Sequence, residues 1–202
     1  MFPSKGDNEI MIVGGTEVDP ACPDCKYPFM VSLKLDNFGH YCGGSLVRED
    51  WVITAAHCVT EGFSFAIPMD PNDITVEVGL HNVNNTPGSE EHAVDEIIVH
   101  PNWNYFNLDN DYALLHLTSP SSFEFEPIQL ITNDSHDDEP IMSTTMGWGN
   151  TSSGGWSSDV LLEVDIPIDD DCGSYSSGDI TNNMVCAGDS DGGEASCQGD
   201  SG

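Results

Sequence analysis

The feature that most constrains the fold is a succession of short apolar runs, each of strand length, separated by turn residues. Phe29–Leu35, Gly44–Val47, Trp51–Thr54, Ile97–Val99 and Tyr112–Leu117 follow this rule in the first part of the chain. Ser143–Met146, Leu161–Ile166 and Asn183–Cys186 continue it. Between them, Ile74-Thr-Val-Glu-Val78 alternates with period two, as a strand with one buried face must. Runs this short cannot carry the 3.6-residue periodicity of a core helix. The spacing therefore predicts an all-β protein, a barrel or a sandwich. Only Ala55–Cys58 and the neighbourhood of Asp169–Asp171 suggest a helical turn. Ser119–Pro127 reads as a polar linker, and Asn133–Pro140 and Asn150–Ser158 read as exposed loops.

The chain has 202 residues, enough for a sizeable core in one large or two smaller units. Its 4 Lys and Arg stand against 35 Asp and Glu, a formal charge of −31. Such a surface disfavours nucleic acid and anionic membranes. The acids are scattered and form no long block, which fits a solvated face in salty surroundings, one that could also attract cationic peptides. Seven cysteines indicate an oxidising compartment and leave one over after pairing. Sequons at Asn84, Asn133 and Asn150 point weakly the same way. Residues 1–10 lack the apolar run of a signal peptide, so export would need a start upstream of Met1 or another route. No apolar stretch reaches membrane-spanning length.

Three segments carry chemistry. Hydrolysis by a serine needs a hydroxyl nucleophile, a base that titrates near neutrality, a carboxylate to orient that base, and donors aimed at the oxyanion. His57 stands in Thr54-Ala-Ala-His-Cys58, where small alanines let backbone pack behind the ring. Cys58 can tie this turn to Cys42 in Tyr41-Cys-Gly-Gly-Ser45. Asp111 stands in Asn110-Asp-Tyr-Ala-Leu-Leu115, abutting a strand; Asp109 is the rival two residues earlier. Ser201 stands in Gln198-Gly-Asp-Ser-Gly202. Gly199 permits the sharp backbone path that aims its own N–H and that of Ser201 at one point. Any of these segments alone could be an ordinary turn, and an aspartate at a strand start is commonly a cap. All three together, in the order His, Asp, Ser, are specific.

With these motifs the chain resembles the trypsin- and chymotrypsin-like serine endopeptidases. The likeness runs from Ile12-Val-Gly-Gly15 to Gly202 and includes Val99-His-Pro-Asn-Trp103, Met146-Gly-Trp-Gly149 and Met184-Val-Cys-Ala-Gly188. The resemblance implies two antiparallel six-stranded β-barrels of Greek-key topology with the site between them, the second barrel being incomplete within these residues. It implies His57 as general base and then acid, Asp111 as its orienting carboxylate, Ser201 as nucleophile, and Gly199 with Ser201 as the oxyanion hole. Ala195, Ser196 and Gln198 would line the substrate. Ala195 stands where relatives that cut after Arg or Lys carry an aspartate, which suits an apolar or small side chain; the alternative is a basic preference restored by a shifted Glu194 or by another acid. An amino group freed at Ile12 would pair with Asp200. Met11 stands where the family usually has a basic residue, so a trypsin-like activator is not expected.

The resemblance also implies the disulfides Cys42–Cys58 and Cys172–Cys186. Cys22 and Cys25 are close enough to bridge each other; a redox or zinc Cys-x-x-Cys is the alternative, and no second such motif exists to complete a metal site. Cys197 is the odd cysteine. In the family's calcium loop, here Leu80 to Glu91, only Glu90 has a good counterpart, so neither metal nor cofactor is expected. The expected organisation is an extension over 1–11, a first barrel over 12–120, and a partial second barrel over 121–202. The expected product is a secreted, monomeric endopeptidase acting on proteins or peptides and open to protein inhibitors. The 202-residue stretch by itself is expected to be inactive, because the family builds pocket walls and closing strands from residues beyond the nucleophile. The alternative is a non-catalytic binding module on the same scaffold.

Overall fold

The computed structural model describes residues 15–19, 26–36, 38–61, 67–123, 128, 130, 141–152, 155–168, 172, 180–188, 196 and 198–202. Ile12, Cys22, Cys25, Asp169–Asp171, Ala195 and Cys197 lie outside them, as does the loop expected at Asn133–Pro140.

The strands are β1 (Thr16–Glu17), β2 (Met30–Leu35), β3 (Gly39–Arg48), β4 (Trp51–Thr54), β5 (Thr60–Glu61), β6 (Ile67–Pro68), β7 (Ile74–Val78), β8 (Glu90–Val99), β9 (Ala113–Leu117), β10 (Met142–Gly147) and β11 (Leu162–Pro167). Six close an antiparallel barrel in the order β2-β3-β4-β9-β8-β7, with β7 returning to pair with β2. Closure leaves this sheet no free edge. Its interior is filled by alternate residues of each strand: Val31 and Leu33, Val52, Ile74, Val76 and Val78, Leu115 and Leu117, all essentially without exposure. The expected helical turn is a 3-10 turn over Ala56–Cys58, whose Ala56 and Cys58 join the same core.

A second sheet of three strands has the order β1-β11-β10. Thr16–Glu17 belong to it by pairing with Leu162 and Glu163, although they precede the barrel in the chain. Leu162, Val164 and Ile166 turn inward there, and Trp148 is fully buried in an adjoining cluster with Val18, Met30, Leu80 and Leu161. Met30 begins a barrel strand, so this cluster joins the two sheets.

Two strand expectations need correction. The run Ile97–Val99 is only the end of β8, which begins at Glu90. Glu91, Asp95 and Glu96 point away from the barrel while His92 and Val94 point in, so its inward face carries too few apolar residues to stand out. Asn183–Cys186 is not a strand. Met184 N–H donates to the Thr181 carbonyl at 3.2 Å in a turn, and only Ala187 forms a bridge, to Ile168. Asn150–Ser158 is a partly braced loop: Asn150 bridges Ser157, and Ser158 is buried.

Candidate functional site

His57 sits in the 3-10 turn that follows β4, and Asp111 sits just before β9, the strand beside β4. This pairing brings the two residues together across 54 positions of sequence. The imidazole Nδ1 lies 2.6 Å from Asp111 Oδ2, and the His57 backbone N–H donates to Asp111 Oδ1 at 2.9 Å. One carboxylate therefore holds both the backbone and the ring of His57. An acceptor-only partner puts the ring proton on Nδ1 and leaves the Nε2 lone pair as the base. The side chains keep 35% and 21% exposure, so the pair is sheltered but open to a ligand.

The rival Asp109 does not reach His57. It accepts from Thr181 Oγ at 2.7 Å and from Asn183 Nδ2 at 3.0 Å. These bonds, Thr181 first and Asn183 second, hold its carboxyl below the usual carboxylate range.

Ser201 arrives from the far end of the chain. Its carbonyl accepts from Gly43 N–H at 2.7 Å, and the Gly43 carbonyl accepts from Thr54 Oγ at 2.8 Å. The expected Cys42–Cys58 disulfide is formed beneath it. Cys58 Sγ lies 3.6 Å from His57 Nε2 and 3.8 Å from the Ser201 carbonyl oxygen. The same sulfur thus touches the basic side of the ring and the serine's backbone. Cys42, His57 and Cys58 cluster as metal ligands might, but both sulfurs are spent in the disulfide and one imidazole remains.

The backbone around Ser201 is shaped by two glycine sites. Gly199 has φ +97°, a conformation that L side chains rarely adopt. Asp200 is packed against Gly147 and Gly149, where a Cβ would come within 2.2 Å of Asp200 Oδ1 and 2.5 Å of its Cγ respectively. Gly149 N–H donates to Asp200 Oδ1 at 2.7 Å. The expected partner of Asp200, Ile12, lies outside the described residues.

Sequence reasoning missed His40. Its Nε2 lies 3.1 Å from the Gly199 carbonyl and its Nδ1 lies 2.8 Å from Ser32 Oγ. A carbonyl can only accept, so Nε2 carries the proton and Nδ1 accepts from the serine. Its ring also packs edge-on to Trp148 at 5.3 Å. Burial lowers its pKa, against the raising effect of the Gly199 bond, and keeps it neutral at physiological pH. His40 thereby fixes the Gly199–Asp200 peptide, which lies between the two N–H groups that the oxyanion reading uses. No local motif signals this role, because its partners are 8 and 159 residues away.

Among the other expected site residues, Gln198 is exposed and its carbonyl accepts from Asn150 N–H at 2.7 Å. Ser196 is exposed at the rim of an open groove of about 610 Å³ lined also by Phe106, Leu108, Ile166, Ile180 and Met184. The disulfide Cys172–Cys186 is formed beside it. In the Leu80–Glu91 loop, Leu80 is buried and the Glu90 carboxylate is surrounded by protein donors. Ser121 Oγ lies at 2.8 Å, Ser122 N–H at 3.0 Å and His92 Nε2 at 3.2 Å, with Ser122 Oγ also in contact. Burial opposes ionisation, yet these bonds hold the carboxyl at about 2. With Oε2 taken by three of these donors, Glu90 is poorly placed to ligate a cation.

Comparison with known proteins agrees with this geometry. The family described as Trypsin matches residues 12–202. The chain is 40% identical over 197 residues to Trypsin-2 of Salmo salar, covering 95% of this chain and 77% of that one. It is 37% identical over 201 residues to Trypsin of Squalus acanthias, covering 97% and 80%. It is 37% identical over 205 residues to Trypsin of Sus scrofa, covering 100% and 80%. With a closed antiparallel barrel, a carboxylate-held histidine beside a Gly-Asp-Ser-Gly turn, and this extent of likeness, the chain belongs to the trypsin family of serine endopeptidases.

Proposed function

We propose that the chain hydrolyses peptide bonds through an acyl-enzyme intermediate on Ser201, with His57 as the proton carrier and Asp111 as its orienting carboxylate. The observation that carries this reading is the pair of hydrogen bonds from His57 to Asp111, which leaves Nε2 unprotonated, with Cys58 Sγ in contact with both Nε2 and the Ser201 carbonyl. Ser201 Oγ attacks the peptide carbonyl carbon as its proton passes to His57 Nε2. The negative charge on the tetrahedral oxygen falls to the N–H groups of Gly199 and Ser201. His57 then gives its proton to the leaving amine, the C–N bond breaks, and an ester to Ser201 remains. Water attacks that ester, yielding a proton to Nε2 that returns to Ser201 Oγ with release of the acid. The ordered steps are those of the family's template; the part specific to this chain is the set of contacts that holds the groups.

Substrates are proteins or peptides, the chain acts as a monomer, and the disulfides Cys42–Cys58 and Cys172–Cys186 support an extracellular protein made in an oxidising compartment. Residues 12–120 and 121–202 form its two units, with an extension over 1–11. Ala195, Ser196 and Gln198 line the bound peptide, an apolar or small side chain is preferred beside Ala195, and the Ile12 amino group pairs with Asp200.

A fluorophosphonate probe tests the reading. Labelling of Ser201 in the protein, absent in Ser201→Ala, is the expected result. No labelling of the folded protein would favour a binding module instead.

A further inference from the structure

Building on the catalytic reading of Asp111, we infer that Asp109 is a positioning residue, a carboxylate clamp between the two halves of the molecule that fixes the loop carrying Asp111. Its backbone is held first. Asp109 exchanges both backbone hydrogen bonds with Asn104, at 3.0 and 3.2 Å, which closes residues 104–109 into a tight loop. Leu108 and Asn110, its neighbours on either side, both have positive φ, at 54° and 56°. Asn110 is itself tied by its side chain to the Asn102 carbonyl at 3.2 Å, and its own carbonyl accepts from Tyr112 N–H at 2.9 Å. One constrained residue therefore separates Asp109 from Asp111, and a shift of the first is passed to the second with little slack.

The side chain of Asp109 reaches the other half. Thr181 Oγ and Asn183 Nδ2 both donate to the same atom, Oδ1. Those donors stand in a segment that is itself anchored. Met184 N–H closes the Thr181 turn, Cys186 is bonded to Cys172, Ala187 bridges Ile168, and Gly188 N–H donates to the Pro167 carbonyl at 2.9 Å. Pro167 ends β11, the central strand of the second sheet. A path of hydrogen bonds joined by short covalent stretches (184–188 and 109–111) thus runs from β11 through Thr181 and Asn183 to Asp109, and on to Asp111 and His57. Among the described residues, the serine end of the site has its own tie to the second half, through Gly149 and Asp200. The clamp sets the base and the nucleophile in one frame.

Convergence on a single oxygen gives the clamp a specific signature. An asparagine keeps one carbonyl oxygen and can accept both bonds, whereas alanine can accept neither. Asp109→Ala should lower kcat for a peptide ester about 10-fold with KM little changed, since misplacement by a fraction of an ångström acts on the chemical step. Asp109→Asn should restore most of that loss. The double variant Thr181→Val with Asn183→Ala should reproduce the Asp109→Ala loss, and adding Asp109→Ala to it should lower kcat no further. A fall in melting temperature with kcat unchanged, or an intact kcat in the Thr181/Asn183 variant, would overturn the clamp. The proton between His57 Nδ1 and Asp111, followed by NMR, reads the same device without catalysis. It should broaden or vanish in both Asp109→Ala and the Thr181/Asn183 variant; an unchanged signal refutes the clamp. If the wild type takes no probe at Ser201, the catalytic reading fails, while the clamp still stands or falls on that signal.

Discussion

Gly149→Ala tests how Asp200 controls the nucleophile. A methyl group at 149 would stand 2.5 Å from Asp200 Cγ and 2.6 Å from both carboxylate oxygens. Ordinary contact begins near 3.4 Å. The neighbour is a carboxylate that already accepts from the Gly149 N–H, so neither partner can retreat without breaking that bond. Asp200 must move by nearly 1 Å, and it lies between the two residues whose N–H groups are aimed at the oxyanion; such a misplacement lowers kcat about 100-fold. Overpacking of this kind also destabilises the fold by about 1–3 kcal/mol. The two effects separate with a control. Gly88 has φ +90° and open space around its Cβ position, so Gly88→Ala adds backbone strain of about 1–2 kcal/mol without touching the site. Steady-state ester hydrolysis and thermal unfolding of both variants give the comparison. A Gly149→Ala variant within about threefold of wild-type kcat would refute the reasoning, since the predicted displacement carries about 100-fold. So would a Gly88→Ala variant that loses kcat equally, because general softening would then explain both.

Other expectations follow from the same contacts. Asp111→Asn should lower kcat by about four orders of magnitude while leaving the fold intact, the size this change has in the family's catalytic template, because the amide favours the wrong imidazole tautomer. The Glu90 carboxyl is held at about 2, below its ordinary 4.5, so its contribution to stability is present above about pH 4.5 and lost as pH falls toward 2. In melts across that window Glu90→Gln should flatten the acid side of the stability profile, and chelator should leave the wild-type melt unchanged because protein donors fill the carboxylate. Leu46 is fully buried in the barrel, and Leu46→Ala should destabilise it by about 2–5 kcal/mol in denaturant unfolding.

How much was legible in the sequence depended on whether the signal was local. The strand Ile74–Val78 has the bounds its alternation predicts, because Ile74, Val76 and Val78 all face the core. Glu77 breaks the expected pattern. It faces the other side of that strand yet is only 2% exposed, because Lys34 of β2 lies 3.0 Å from one oxygen and Ser89 Oγ lies 2.6 Å from the other. A buried carboxylate satisfied by two distant donors leaves no trace in its own neighbourhood. The ten-residue strand β3 hid His40 for the same reason: the ring reads as an ordinary strand residue until Gly199 is brought to it.

By itself, the sequence determined the fold class, the order of the three reactive segments and the choice of Asp111 over Asp109, since period-two patterning and direct abutment of a strand are local properties. Only the tertiary structure decided that Asp109 spans to Thr181 and Asn183, that Gly147 and Gly149 leave space for Asp200, and that Glu90 is closed off by serines. Those contacts join residues up to 74 positions apart. Barrel closure sets which of them meet, and a hydrogen bond acts only across about 3 Å.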